Sequence, residues 1–271
     1  MIARTHSEGG AAMPDRVTLA TWNVNSIKQR IGHVTAWAER ARPDVILLQE
    51  LKATADAFPE LDVQAAGYTA AVLGQKAYNG VAILSRHPIE VTARALPGDP
   101  DDTQSRYIEA RTAGLRAASI YLPNGNPIDS AKYSYKHAWM ARLGKRIDEL
   151  LASEEPVVLG GDYNCAPTDA DVYDPAATAY DALCTRATRK RFRALENLGM
   201  VEAWRALHAE KHVYTYWDYG SAFPNDEGLR IDHFLLSPQA ADRLAACDVD
   251  TTPRGWQRAS DHTPVVCELT A

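Results

Sequence analysis

With 271 residues, the chain is long enough to bury a large core without disulfides or structural metal. A composition of 46% hydrophobic and 24% charged residues excludes a disordered polymer, and apolar runs of strand length, such as 45–48, exclude a bilayer span of about 20 residues. The formal net charge of −6 excludes a basic coating protein but leaves local contact with a phosphate backbone open, because such contact depends on where positive charge sits.

Residues 1–15 place small and polar types around Gly9, Gly10 and Pro14 without the apolar segment of a signal peptide; they are expected to form a flexible extension in which Met13 is an alternative start. Residues 16–271 are expected to form one domain, since no linker, repeat or low-complexity stretch divides them. Strand-length apolar runs alternate with stretches of helical period, which is the α/β pattern. The first strand, from Val17, runs into Asn23 and Asn25. A helix is expected over 27–41, with Ile27, Ile31, Val34 and Ala38 on one face and Pro43 beyond its end. The run 45–48 leads into Gln49 and Glu50, and the run 118–122 into Asn124. The clearest helical stripe, Met140, Leu143, Ile147, Leu150 and Leu151, lies on a segment that starts near Ser130 and stops before Pro156. The strand 157–161 runs into Asp162 and Asn164, and a third helix contains Phe192, Leu195 and Leu198 with Gly199 as its terminator. Further on, 229–231 meets Asp232 ahead of 234–236, and Asp261 and His262 stand directly before 264–266. Carboxylates and amides thus recur at the margins of buried strands, which predicts one polar cluster on a sheet rim.

The inventory Asn23, Asn25, Glu50, Asp162, Asn164, Asp232, Asp261 and His262 consists of hard oxygen donors with one imidazole, so the implied ion is Mg²⁺ or Mn²⁺ rather than zinc. Each residue taken alone is more often a turn, a cap or the start of a solvated loop; the joint occurrence carries the signal. Cys165, Cys184, Cys247 and Cys267 show neither a zinc-ligand spacing nor a small disulfide framework, which fits a reducing cytoplasm.

The segments 21–26 (TWNVNS), 48–52 (LQELK), 78–86 (YNGVAILSR), 121–125 (YLPNG), 160–167 (GGDYNCAP), 228–233 (GLRIDH) and 260–264 (SDHTP) occur in an order that resembles the exodeoxyribonuclease III family of abasic-site endonucleases over about 17–269. The resemblance implies a four-layer α/β-sandwich, two packed mixed β-sheets flanked by helices. It implies Glu50 as principal metal ligand, assisted by Asn23 and Asn25, and Asp162 as the group that positions or deprotonates the attacking water. Asn164 then helps to hold the phosphate or the ion, His262 contacts the scissile phosphate or the metal, Asp232 orients His262, and Asp261 is a ligand for a second metal. Tyr121 donates to a phosphate oxygen or assists the leaving group. The implied cofactor is Mg²⁺, with Mn²⁺ as substitute, as one or two ions.

The resemblance further implies a nick on the 5′ side of abasic sites in duplex DNA, with 3′-to-5′ exonuclease and 3′-end-cleaning activity, by a monomer acting at the nucleoid. The stretch 214–230 resembles a DNA-recognition loop, with Tyr216, Trp217 and Leu229 lining a slot for a flipped deoxyribose. Gly220 stands where some members of that family place a large residue that wedges into the duplex, so either Phe223 takes that role or wedging is weaker. Lys28, Asn124, Lys132 and Lys136 are expected DNA contacts, whereas the basic run from Arg186 to Arg193 reads first as a solvated helix face. A phosphodiesterase acting on a non-DNA ester, or a lesion-binding protein without catalysis, are the alternatives. The 214–230 loop speaks against the first and the complete donor set against the second.

Overall fold

In the computed structural model, which describes residues 14–209 and 211–270, apolar side chains alternate along each central strand and so supply two faces to bury. The strands in chain order are β1 (Arg16–Asn23), β2 (Val45–Gln49), β3 (Thr69–Leu73), β4 (Val81–Ser85), β5 (Glu90–Ala93), β6 (Tyr107–Thr112) and β7 (Leu115–Tyr121). They continue with β8 (Val157–Asp162), β9 (Val201–Glu202), β10 (Tyr216–Trp217), β11 (Gly228–Leu229), β12 (Asp232–Leu236), β13 (Leu244–Val249) and β14 (Val265–Thr270). One six-stranded sheet has the order β13-β14-β1-β2-β4-β3, the other β5-β6-β7-β8-β12-β9, and β10 with β11 forms a separate hairpin. Both large sheets are mixed: β1 runs parallel to β2, and β7 to β8, among antiparallel neighbours.

Val17, Leu19, Val45 and Leu47 face Ile108, Ala110, Val158 and Phe234 across the space between the sheets. The opposite face of the first sheet, including Ala20, Trp22, Ile46 and Leu48, is covered by α1 (Ile27–Ala41) and α2 (Glu60–Ala65) through Val34, Trp37 and Val63. The outer face of the second sheet, including Ala118, Ile120 and Leu159, is covered by α3 (Ala131–Leu151) and α4 (Arg186–Asn197) through Trp139, Leu143, Ile147 and Phe192. Short helices α5 (Ala203–Leu207) and α6 (Pro238–Ala241) flank β12. The fold is thus the expected four-layer α/β-sandwich. Among the described residues, no helix is long and apolar enough to cross a membrane. The extension expected at 1–15 lies, apart from Pro14 and Asp15, outside the described residues.

The three expected helices form where their periodicity places them. In α4 the Thr185 side chain accepts from the Thr188 amide as an N-cap, and Gly199, at φ 117°, follows the helix end. Register explains why polar residues collect. Asn23 pairs with Gln49 at the ends of β1 and β2, and Thr21 pairs with Val265, so 260–264 lies over that same edge. Tyr121 pairs with Asp162 and Asp162 with Asp232, which brings the equivalent edge of the second sheet together.

Two features of this frame are testable through stability. A Cβ on Gly161 would lie 2.0 Å from the Ile120 carbonyl oxygen, whereas one on the exposed, mid-helical Gly32 would meet nothing within 4 Å. Gly161→Ala should therefore lower the unfolding free energy by about 3 kcal/mol, and Gly32→Ala should raise it by about 0.8 kcal/mol, both read from urea midpoints. Glu109 is buried against Arg116 and Arg146, and accepts from Thr92 and Tyr107. Burial alone would raise its carboxyl, but the Arg146, Thr92 and Tyr107 hydrogen bonds hold it at about 2, against an ordinary 4.5. The stability it contributes is present above about pH 4.5 and lost as pH falls towards about 2. Glu109→Gln should destabilise the protein at neutral pH and flatten that acid limb of the stability profile.

Candidate active site

The rim where both sheets end carries two linked polar groups. In the first, the Asn23 side-chain amide donates to Glu50 Oε1 and to Asp162 Oδ2, each at 2.9 Å, so one nitrogen bridges carboxylates that belong to different sheets. Asn23 Oδ1 accepts from the Asn25 amide at 3.0 Å. Glu50 also accepts from Tyr121 OH at 2.8 Å and faces Lys52 Nζ at 2.8 Å. Burial works to raise the Glu50 carboxyl, but the bonds from Asn23, Lys52 and Tyr121 prevail and lower its pKa. Tyr121 moves the other way, its phenol pushed well up by burial and by the charges of Glu50 and Asp162.

In the second group, His262 Nδ1 meets Asp232 Oδ2 at 2.8 Å and Nε2 lies 3.7 Å from Asp162 Oδ2. All three side chains are almost fully buried. Burial disfavours the imidazolium, yet the Asp232 and Asp162 carboxylates outweigh it and raise His262 to about 10. Burial raises Asp162 to about 7, with the charge of Asp232 adding to the shift and His262 opposing it. Thr215 Oγ1 donates to Asp232 Oδ2 at 2.6 Å and accepts the Asp232 amide, fixing the carboxylate, while Asp232 Oδ1 is buried without a partner among the described residues.

A divalent ion fits these residues. Asp162, Asp232 and His262 offer ligand atoms within 4.8 Å of one another, Glu50 adjoins them through Asn23, and the orphaned Asp232 oxygen is an unused hard donor. Oxygen donors without thiolate suit Mg²⁺ or Mn²⁺. The backbone shows how the donors are aimed: Asn25, Glu50, Lys52 and Asn164 all have φ between 43° and 51°. Left-handed backbone in four non-glycine residues at one rim is strain concentrated where side chains must turn inward.

The structure brings together Asn23, Glu50, Tyr121, Asp162, Asn164, Asp232 and His262. Asn164 donates to Leu122 O at 2.9 Å, and its backbone amide donates to Asp162 Oδ1 at 2.8 Å, so it braces Asp162. Asn25 and Asp261 stand apart from the triad, bonded to each other at 3.0 Å, with Asn25 also bonded to Tyr219 OH and to Lys52. Tyr216 lies against the His262 ring, centroids 5.0 Å apart, and Leu229 packs beside it with Ile231. Lys28, Asn124 and Lys132 are exposed.

Three of the expected DNA contacts need correction. Lys136 is fully buried, and its ammonium donates to the carbonyls of Asn124 and Asn164 at 3.0 and 2.5 Å; it ties two rim loops together instead of meeting a phosphate. Burial lowers its pKa to about 8. Trp217 is buried, with Nε1 on Asp226 Oδ1 and its ring edge-to-face with Phe223, so it supports the loop and walls no slot. Phe223 in turn is capped by the Arg254 guanidinium 5.0 Å above its ring, which leaves no free wedge; the exposed aromatic of this loop is Tyr219. Residues without an assigned role in the sequence also take part. Lys52 and Thr215 stood inside recognised segments, whereas Arg106, 4.7 Å over the Tyr121 ring, gave no local signal.

Residues 20–262 match the Endonuclease/Exonuclease/phosphatase family. Exodeoxyribonuclease III of Haemophilus influenzae is 29% identical over 92% of this chain and 98% of its own length. An AP endonuclease structure from Archaeoglobus fulgidus superposes with a TM-score of 0.89 at 35% identity, covering 93% of this chain and 98% of that one. A 3′ phosphatase from Neisseria bound to a product DNA hairpin gives 0.91 at 40% identity, covering 94% and 100%. A shared four-layer frame, a match over most of the sequence and the donors gathered on its rim leave one assignment: the chain belongs to the Endonuclease/Exonuclease/phosphatase family, among its exodeoxyribonuclease III and AP endonuclease type DNA-repair nucleases.

Proposed function

We propose that the protein is a Mg²⁺-dependent phosphodiesterase that cuts duplex DNA on the 5′ side of abasic sites and also trims blocked 3′ ends, acting as a monomer at the nucleoid. The observation that carries this reading is the buried junction of Glu50, Asp162, Asp232 and His262, which joins an acceptor for a water proton to a fixed cation on the same rim. Asp162, held by Asn23 and by the Asn164 amide, positions a water or takes its proton as the new P–O bond forms. His262, fixed through Nδ1 by Asp232, presents Nε2 to a phosphate oxygen whose charge grows. Tyr121, its ring fixed under Arg106, donates to a second phosphate oxygen or to the departing 3′ oxygen. Glu50, with the unused oxygen of Asp232 and with Asp162, would hold the ion, which when bound offsets charge on the phosphate and the leaving oxygen. Tyr216 and Leu229 would form the walls of the sugar slot.

A second reading, action chiefly at 3′ ends, is favoured by the 40% identity to a 3′ phosphatase and by the burial of Trp217, which takes one wall from the slot. A duplex with one synthetic abasic site and a duplex with a 3′ phosphate separate the two. Incision of the first should appear with Mg²⁺, vanish with chelator and return with Mg²⁺ or Mn²⁺. Release of phosphate from the second without incision of the first would select the end-processing reading, and activity on neither would sink both.

Asp162→Asn and His262→Gln should each lower kcat by about 10²- to 10⁴-fold, while DNA affinity changes less than about tenfold. Single-turnover incision with parallel binding titrations reads both quantities, and a variant that keeps parental kcat removes the role given to that residue.

A further inference from the structure

We infer that a groove between α4 and residues 167–169 is an extension of the DNA site that grips about three successive backbone phosphates, an inference that rests on the reading of the protein as a DNA enzyme. The groove has a volume of about 400 Å³; residues 167–169 line one side, and Arg186, Arg189, Lys190 and Arg193 line the other. The four cations have different jobs. Arg189 is spent on structure, donating to the carbonyls of Ala166 at 3.0 Å and Thr168 at 3.2 Å and pairing with Asp169 at 2.5 Å. Arg186, Lys190 and Arg193 are exposed, and among the described residues their side chains have no hydrogen-bond or ion-pair partner. Glu196, one turn beyond Arg193, offsets only part of that charge.

The spacing suits a polyanion. Residues 186, 190 and 193 fall on one helical face and span about 10 Å of axis at 1.5 Å per residue, a length of duplex axis over which one DNA strand presents about three phosphates at one per 3.4 Å. Thr188, Phe192 and Leu195 anchor the opposite face, so the stripe is presented by a rigid element. Its position is continuous with the catalytic rim: Ala166, which Arg189 holds and whose amide donates to Leu183 O at 3.0 Å, comes two residues after Asn164. In a chain of net charge −6, an unpaired triad beside the reaction centre marks a local attraction for phosphate, and a strand leaving the centre along 164–168 would run into it.

Replacing Arg186, Lys190 and Arg193 together by Gln tests this. The control replaces Arg16, Arg42 and Arg86 by Gln, an equal change of charge at the far ends of β1, β2 and β4. With an abasic duplex extended by ten base pairs on both sides, the α4 variant should bind tenfold to a hundredfold more weakly than the parent at about 100 mM salt. The slope of log affinity against log salt should become shallower by about 2 to 3, while kcat at saturating DNA stays parental. Trimming the duplex on one side of the lesion should erase the difference. A variant that matches the parent in affinity and slope, or a control that loses as much as the α4 variant, overturns the proposal while leaving the DNA activity in place. A parent that neither binds nor cuts the duplex overturns both readings together.

Discussion

Two buried carboxylates, Asp162 and Asp232, set the terms for the rest of the molecule. Placed side by side on β8 and β12, they lose hydration and, to a smaller degree, repel one another, a combination that raises Asp162 to about 7. A cation between them makes the arrangement tenable, and it comes from the other side of the sandwich: His262 precedes β14 of the first sheet. Neither sheet could hold this group alone. The sheets must therefore meet closely at one edge, and the sequence of β8 provides for that. A Cβ on Gly160 would lie 2.7 Å from Leu47 and 2.5 Å from Phe234, so glycine there lets the facing sheets approach. Behind the rim, Gln49 donates to Ser119 Oγ at 2.9 Å and Ser119 donates to Leu48 O at 2.8 Å, a buried polar link from sheet to sheet that fixes their relative position.

With that spacing fixed, the left-handed residues at the rim follow. A strand that ends at the edge points its next side chain along the strand axis or away, and Glu50 and Asn164 reach the junction only because the backbone reverses hand there. The cost of each such residue, of order 1–3 kcal/mol, is offset by bonds made after the turn: Ser26 N to Glu50 O at 2.8 Å, Lys52 N to Asn79 O at 2.9 Å, and Lys136 to Asn164 O. Lys136 is thus more consequential buried than it would be at the surface, because it holds the backbone of the residue that braces Asp162.

This division explains what could be read from sequence. The apolar runs and the donors that follow them are local patterns, so the strands, the helix 27–41 and the convergence of Asn23, Glu50, Asp162, Asp232 and His262 are legible in the sequence alone. Whether a side chain near the rim faces out or in is not a local property. Lys136, Trp217 and Phe223 have the residue types of a DNA interface, but the ammonium found two carbonyls, the indole found Asp226, and the phenyl ring lies under Arg254, a residue 31 positions away in the chain. Thr215 and Arg106 carry no local signal of their roles for the same reason: each acts on a partner, Asp232 or Tyr121, that only the folded register brings near.

The charge distribution obeys the same logic. Counted along the chain, α3 and α4 both look basic. On α3, however, Arg142 is matched by Asp99 and Asp102, and Arg146 by Glu109 and Glu149, so these two arginines pin the helix to its sheet and the exposed Lys132 and Lys145 carry what outward charge the helix keeps. On α4 one arginine of the groove is neutralised, and three of its cations have no partner among the described residues. Acidic residues account for the negative sum, yet several of them sit in the metal-suited junction or in buried pairs such as Asp171 and Glu202 with Arg230, where they act over short range. What a long polyanion meets is the residue of this cancellation, since exposed charges beyond about 10 Å are screened at ordinary salt. Net charge and phosphate affinity are therefore separate quantities here: the first is set by residues that pair within the fold, the second by the few that the fold leaves without a partner.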